Sequence, residues 1–135
     1  MILCLGTNDL KFTDCDGSAR GIAKLIDCIK NADILYNAFD PVFAGEKKIL
    51  LVAPPTIHPD IPKTRPGHAL AHAAEESLHF EEKYRKVAEE KGVYFLSAAQ
   101  YVTPSPADCL HLEAEEHHKL GLAVAEKVKE IFSQN

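Results

Sequence analysis

The chain has 135 residues, 46% of them apolar and 26% charged, and a formal net charge of −5. That length suits one domain with a real core, residues 1–135 as a single unit, and not comfortably two. The acidic balance and the lack of a basic run exclude a nucleic-acid-binding surface, and no apolar stretch approaches the roughly 18 residues of a membrane span.

The first element is also the oddest. Met1-Ile2-Leu3-Cys4-Leu5 is an apolar run with no polar alternation, stopped by Gly6-Thr7-Asn8-Asp9. Such a run reads as a strand buried on both faces of a parallel sheet, with a neighbour on each side. The chain therefore begins where the middle of a domain is expected. Met1 enters the strand without a basic leader, so no signal peptide is legible and a cytoplasmic location is the default.

A polar loop follows over residues 10–16, where Asp14 or Asp16 is placed to cap a helix. Ile22, Leu25, Ile26, Ile29, Ala32 and Tyr36 recur at helical spacing, which predicts a helix over residues 17–36. Residues 39–45, with Pro41 and Gly45, break it. Residues 49–53 form a second apolar strand, ended by Pro54-Pro55. Residues 54–67 carry five prolines and predict a stiff loop, a wall or lid over a ligand site.

A second helix is expected over residues 69–91, stopped by Gly92, then a third strand over 93–96. Another long loop spans residues 97–113, and a last helix runs from 114 to 132 with Leu120, Val124, Val128 and Ile131 on one stripe. Alternating strands and helices imply a parallel α/β sheet with right-handed crossovers, and no internal repeat is visible.

Ligands of open α/β sheets bind at the carboxyl edge of the strands. Three polar features converge there: Asn8 after the first strand, the proline-rich loop after the second, and Asp108-Cys-Leu-His111 after the third. A carboxylate three residues before an imidazole can orient and charge-stabilise it as a general base. A surface pair and an ordinary strand-end turn are the bland alternatives for these residues.

Gly6-Thr7-Asn8-Asp9-Leu10-Lys11, Leu51-Val52-Ala53-Pro54-Pro55 and Asp108-Cys-Leu-His111-Leu112, in this order and spacing, resemble the later part of an SGNH (GDSL-type) hydrolase. The arylesterase and acetyl-xylan-esterase-like branch is the nearer resemblance. It implies a three-layer α/β/α, flavodoxin-like fold lacking its first strands. It implies Asn8 as oxyanion donor, His111 as general base and Asp108 as the residue that orients it. The implied reaction is hydrolysis of a short acyl or acetyl ester, a small-molecule substrate, with no cofactor and no metal.

The family's Gly-Asp-Ser nucleophile block and the glycine block after it are absent. Ser18, Ser77, Ser97, Ser105 and Ser133 lie in no nucleophile motif, so none is assigned that role. In the family's sheet the missing first strand would lie beside Ile2-Leu3-Cys4-Leu5. An apolar strand left open is a template for pairing, which leads to an expected homodimer through that strand.

Two classes of function follow. One is an ester hydrolase, inactive as an isolated chain. The alternative is a non-catalytic, oligomeric remnant or binding module of the same fold. The four cysteines form no C-x-x-C pair and read as reduced structural thiols. His68, His72 and His79 at helical spacing read as solvated side chains in preference to metal ligands. Glu113, Glu115 and Glu116 suit the start of the last helix.

Overall fold

The computed structural model describes residues 1–32, 35–36, 40–41, 47–65 and 67–133. In chain order its elements are β1 (Ile2–Leu3), α1 (Cys15–Asn31), β2 (Leu35–Tyr36), β3 (Asp40–Pro41), β4 (Leu50–Ala53), α2 (Gly67–Leu70), α3 (Ala73–Ser77), α4 (Phe80–Lys91), β5 (Tyr94–Ser97) and α5 (Ala114–Ser133). Short 3₁₀ turns cover Thr7–Lys11, Ile61–Lys63 and Ala98–Gln100.

The sheet is parallel, in the order β1-β4-β5, with Ile2 opposite Leu50 and Leu50 opposite Tyr94. β4 is central, and all four of its residues are buried. The side-chain alternation of a strand divides them between two cores. Leu51 and Ala53 pack with Ile22 and Ile26 of α1 and Phe80 and Tyr84 of α4. Leu50 and Val52 pack with Leu96 and Ile131, and Leu120, Val124 and Val128 of α5 close over them. Helices on both faces of a parallel sheet make the three-layer α/β/α architecture expected from the sequence.

The first strand departs from its expectation. It is confined to Ile2–Leu3 and lies at the sheet edge, paired with β4 alone. Ile2 and Leu5 are about half exposed, at 50% and 54%. The first helix is also shorter than its apolar pattern. α1 stops at Asn31, and Tyr36 stands in β2, which pairs antiparallel with β3. Lys47 reaches back to the end of α1, donating to the carbonyls of Ile29, Lys30 and Ala32. A cation there serves the terminal carbonyls and suits the negative end of the helix dipole. Of the expected breaker at 39–45, only residues 40–41 are described; 39 and 42–45 lie outside the described residues.

The helix expected over 69–91 is three pieces, α2, α3 and α4, and tertiary hydrogen bonds tie the middle one to the rest of the fold. The Ser77 hydroxyl accepts the Ile57 N–H at 2.8 Å, and Glu76 accepts the Cys15 N–H at 2.8 Å. Gly92 ends α4 in the left-handed conformation, at φ 58°. The third strand falls one residue later than expected, at Tyr94–Ser97. No helix among the described residues is long and apolar enough to cross a membrane.

Of the two expected caps, Asp14 is the one used: its carboxylate accepts the Gly17 N–H at 2.7 Å. Asp14→Ala should lower the unfolding free energy by about 1 kcal/mol, read from urea denaturation, with the m-value unchanged.

Candidate active site

Asn8 stands in the turn that leaves β1. Gly6 opens this turn at φ 134°, a conformation that side chains rarely adopt. The Gly6 carbonyl accepts the Asp9 N–H at 2.9 Å, and Leu10, fully buried, anchors the far end. Asn8 itself is exposed and lines a cleft of about 430 Å³ with Leu5, Thr7, Ile22 and Leu25.

A row of oxygens holds this turn from behind. Tyr84 OH lies 3.0 Å from the Leu5 carbonyl oxygen and 2.7 Å from Ser18 Oγ, which lies 3.0 Å from Asp9 Oδ2. Burial pushes the pKa of Tyr84 up, so the hydroxyl keeps its proton. The turn is thus tied to α1 through Ser18 and to α4 through Tyr84. Periodicity marks Tyr84 only as a core residue, and nothing local in the sequence reveals its link to a turn 79 residues away.

The second part of the site follows β5. His111 Nδ1 lies 2.5 Å from Asp108 Oδ2, while Asp108 Oδ1 accepts the backbone N–H groups of Leu110 and His111, each at 2.9 Å. The His111 side-chain bond, then the two N–H bonds, hold the Asp108 pKa down at about 2. Asp108 is therefore an ionised acceptor, so His111 Nδ1 is the donor in this pair, which leaves Nε2 as the nitrogen that can exchange a proton with a reactant. The imidazole is open to solvent, at 75% exposure.

The loop that presents this pair is tightly braced. Cys109, between the two residues, is only 2% exposed and has φ 65°, an uncommon conformation for a non-glycine residue. Its carbonyl accepts the His58 N–H at 3.0 Å, tying the loop after β4 to the loop after β5. Its sulfur lies 3.8 Å from His58 Nδ1. Ser105 closes the same loop. Its N–H donates to the His111 carbonyl at 2.7 Å, and its hydroxyl donates to the Glu113 carboxylate.

All three sequence-derived residues stand after the carboxyl ends of parallel strands. Asn8 follows β1, the Asp108–His111 pair follows β5, and β4 runs between them. The structure joins Asp108 to His111, whereas Asn8 shares no hydrogen bond with either among the described residues. Ser18, Ser77, Ser97 and Ser105 are all buried, and Ser133 lies in the last turn of α5. None is an accessible nucleophile beside His111. His72 and His79 are exposed at the starts of α3 and α4. No group of three His, Cys, Asp or Glu among the described residues is placed to hold a metal ion.

Comparison with solved structures matches the fold. A carbohydrate acetylesterase from Sinorhizobium meliloti is 28% identical, with a TM-score of 0.84 over 96% of this chain and 60% of its own. The aryl esterase of M. smegmatis is 23% identical, with a TM-score of 0.83 over 96% of this chain and 59% of its own. Another crystal structure is 36% identical, with a TM-score of 0.81 over 96% of this chain and 58% of its own. No family model and no curated protein matches the chain by sequence.

The fold is that of the SGNH hydrolases, as the motifs of the sequence imply. The structural neighbours that carry a description are esterases, and the chain spans about three-fifths of their length.

Two predictions follow from the geometry. A Cβ at Gly6 would meet Tyr84 OH at 2.1 Å and Ser18 Oγ at 2.9 Å. Gly6→Ala should therefore cost about 2–3 kcal/mol in chemical denaturation, from strain and displacement of the oxygens behind the turn. Asp108, followed by carbon-detected NMR, should titrate at about 2, and in His111→Ala its midpoint should move up toward 3.8. The folded carboxyl's pKa is depressed, so its stabilising effect is complete above pH 3.8 and is lost as pH falls toward 2.

Proposed function

We propose that this chain carries the general-base and oxyanion portion of a carboxylic-ester hydrolase acting on short acyl or acetyl esters. One observation carries the reading. His111 is held by an ionised Asp108 through Nδ1, with Nε2 free at the carboxyl edge of the sheet. In that state the imidazole can take a proton from a nucleophile and return it to the leaving alcohol, while the carboxylate stabilises the imidazolium between the two steps. Asn8, exposed on a braced turn at the same edge, supplies an amide N–H to the oxyanion of the tetrahedral intermediate.

The nucleophile must come from elsewhere, because four of the five serines are buried and the fifth lies at the end of α5. We therefore read the isolated chain as inactive toward esters. That same observation favours the second reading, a non-catalytic module that keeps the fold. A cytoplasmic setting belongs to this reading, since four cysteines with no C-x-x-C pair suit reduced thiols.

The test uses a short chromogenic acetyl ester. The chain alone should hydrolyse it no faster than His111→Ala. A chimera that places the preceding segment of an esterase neighbour, with its nucleophile, ahead of this chain should be active. In the chimera, His111→Ala should lower kcat by about 10⁴-fold or more, and Asn8→Ala by about 10²- to 10³-fold. A folded chimera without activity, or one indifferent to His111, would overturn the esterase reading.

A further inference from the structure

His111 stands exposed on a loop, so its imidazole is aimed by whatever holds the chain beneath it. Among the described residues its hydrogen bonds go to two partners. Asp108 accepts from the ring Nδ1 at 2.5 Å and from the backbone N–H at 2.9 Å. Ser105 donates its own N–H to the His111 carbonyl at 2.7 Å. The bonds to Asp108 close a local turn. Ser105 is the partner that connects His111 to the rest of the fold.

The sequence around Ser105 holds it still. Pro104 before it has a fixed φ, and Pro106 after it steers Ser105 to extended backbone. Neither proline has an N–H, so Ser105 is the one backbone donor of the tripeptide, and His111 receives it. Ser105 is buried, and its other polar atoms are engaged as well. Its carbonyl accepts the Cys109 N–H at 2.8 Å, and its hydroxyl oxygen accepts the Ala107 N–H at 3.1 Å. The hydroxyl proton goes to the Glu113 carboxylate.

Glu113 ties this loop to the body of the protein. Its carbonyl accepts the His117 N–H at 2.9 Å, a bond of the first turn of α5. Glu116, further along the same turn, accepts the Thr103 N–H at 2.9 Å. Leu120, Val124, Val128 and Ile131 pack α5 on the sheet, against Leu50, Val52 and Leu96. Support therefore runs from the sheet through α5 and Glu113 to Ser105, and from Ser105 to the backbone of His111.

We propose that Ser105 is a positioning residue for His111: clamped to Glu113 at the start of α5, it fixes where the imidazole stands over Asp108. That this aim serves a proton transfer rests on the esterase reading. Whether the clamp sets the aim does not, and its test involves no turnover.

The test follows the Asp108 carboxyl of this chain by carbon-detected NMR. Its pKa of about 2 comes first from the His111 side-chain bond, so the midpoint reports how well the imidazole is aimed. Ser105→Ala keeps the N–H and loses the hydroxyl. It should raise the midpoint from about 2 toward 3.8 with the circular dichroism unchanged. In a His111→Ala background the same substitution should move the midpoint less, because no imidazole is left to misplace. Glu113 is exposed and gives a second arm that does not depend on Ser105→Ala folding. Glu113→Gln, whose amide oxygen still accepts the hydroxyl, should leave the midpoint at about 2, and Glu113→Ala should raise it. Loss of a nearby negative charge by itself would lower the midpoint in both. No rise in a folded Ser105→Ala or in Glu113→Ala overturns the proposal, and so does an equal shift with and without His111. An inactive chimera would overturn only the esterase reading.

Discussion

The structure depends on the double pairing of β4. It pairs with β1 at Leu50 and Leu51 on one side and with β5 along all four residues on the other, and helices bury it above and below. A strand in that position has no freedom of register, because a shift of one residue would exchange the two cores. Leu51 would leave Ile22 and Ile26 for the α5 side, and Leu50 would do the reverse. With β4 fixed, the ends of its neighbours are fixed as well. Asn8 and Asp108 thereby acquire a common edge although 100 residues of chain separate them.

Position alone does not make a site, and the second layer of the argument concerns stiffness. The turn bearing Asn8 is exposed, yet everything behind it is buried: Leu10, Ser18 and Tyr84. The loop bearing His111 is likewise exposed at its tip and buried at Cys109 and Ser105. In both places short polar side chains satisfy backbone groups that no sheet or helix serves. Functional groups on loops depend on such support, since loops lack a ladder of their own.

Much of this was legible in the sequence. The apolar runs ending at Leu5, Ala53 and Leu96 marked the strands, because a strand buried on both faces has no polar alternation to obscure it. Asp108 and His111 could be read as a pair because they are only three residues apart, within reach of one turn. The edge position of β1 was not legible, since an edge strand and a central strand share the same apolar composition here. Nor were the breaks at His72 and His79, which have no glycine or proline to announce them. Between the two breaks, Ser77 and Glu76 bond to distant backbone, partners that no local pattern shows. The bracing by Tyr84 and by Ser105 with Glu113 was equally silent, because side-chain partners across a fold leave no periodic signal.

Cys109 shows what such bracing entails. Its left-handed backbone is a conformation that glycine would adopt without strain. Its side chain nevertheless fills a buried space beside His58. Glycine there would relax the backbone but empty that space and give the loop more conformations to sample. Relief of the backbone and loss of a buried side chain therefore act in opposite directions at this one position, and the aim of the His111 imidazole hangs on the balance between them.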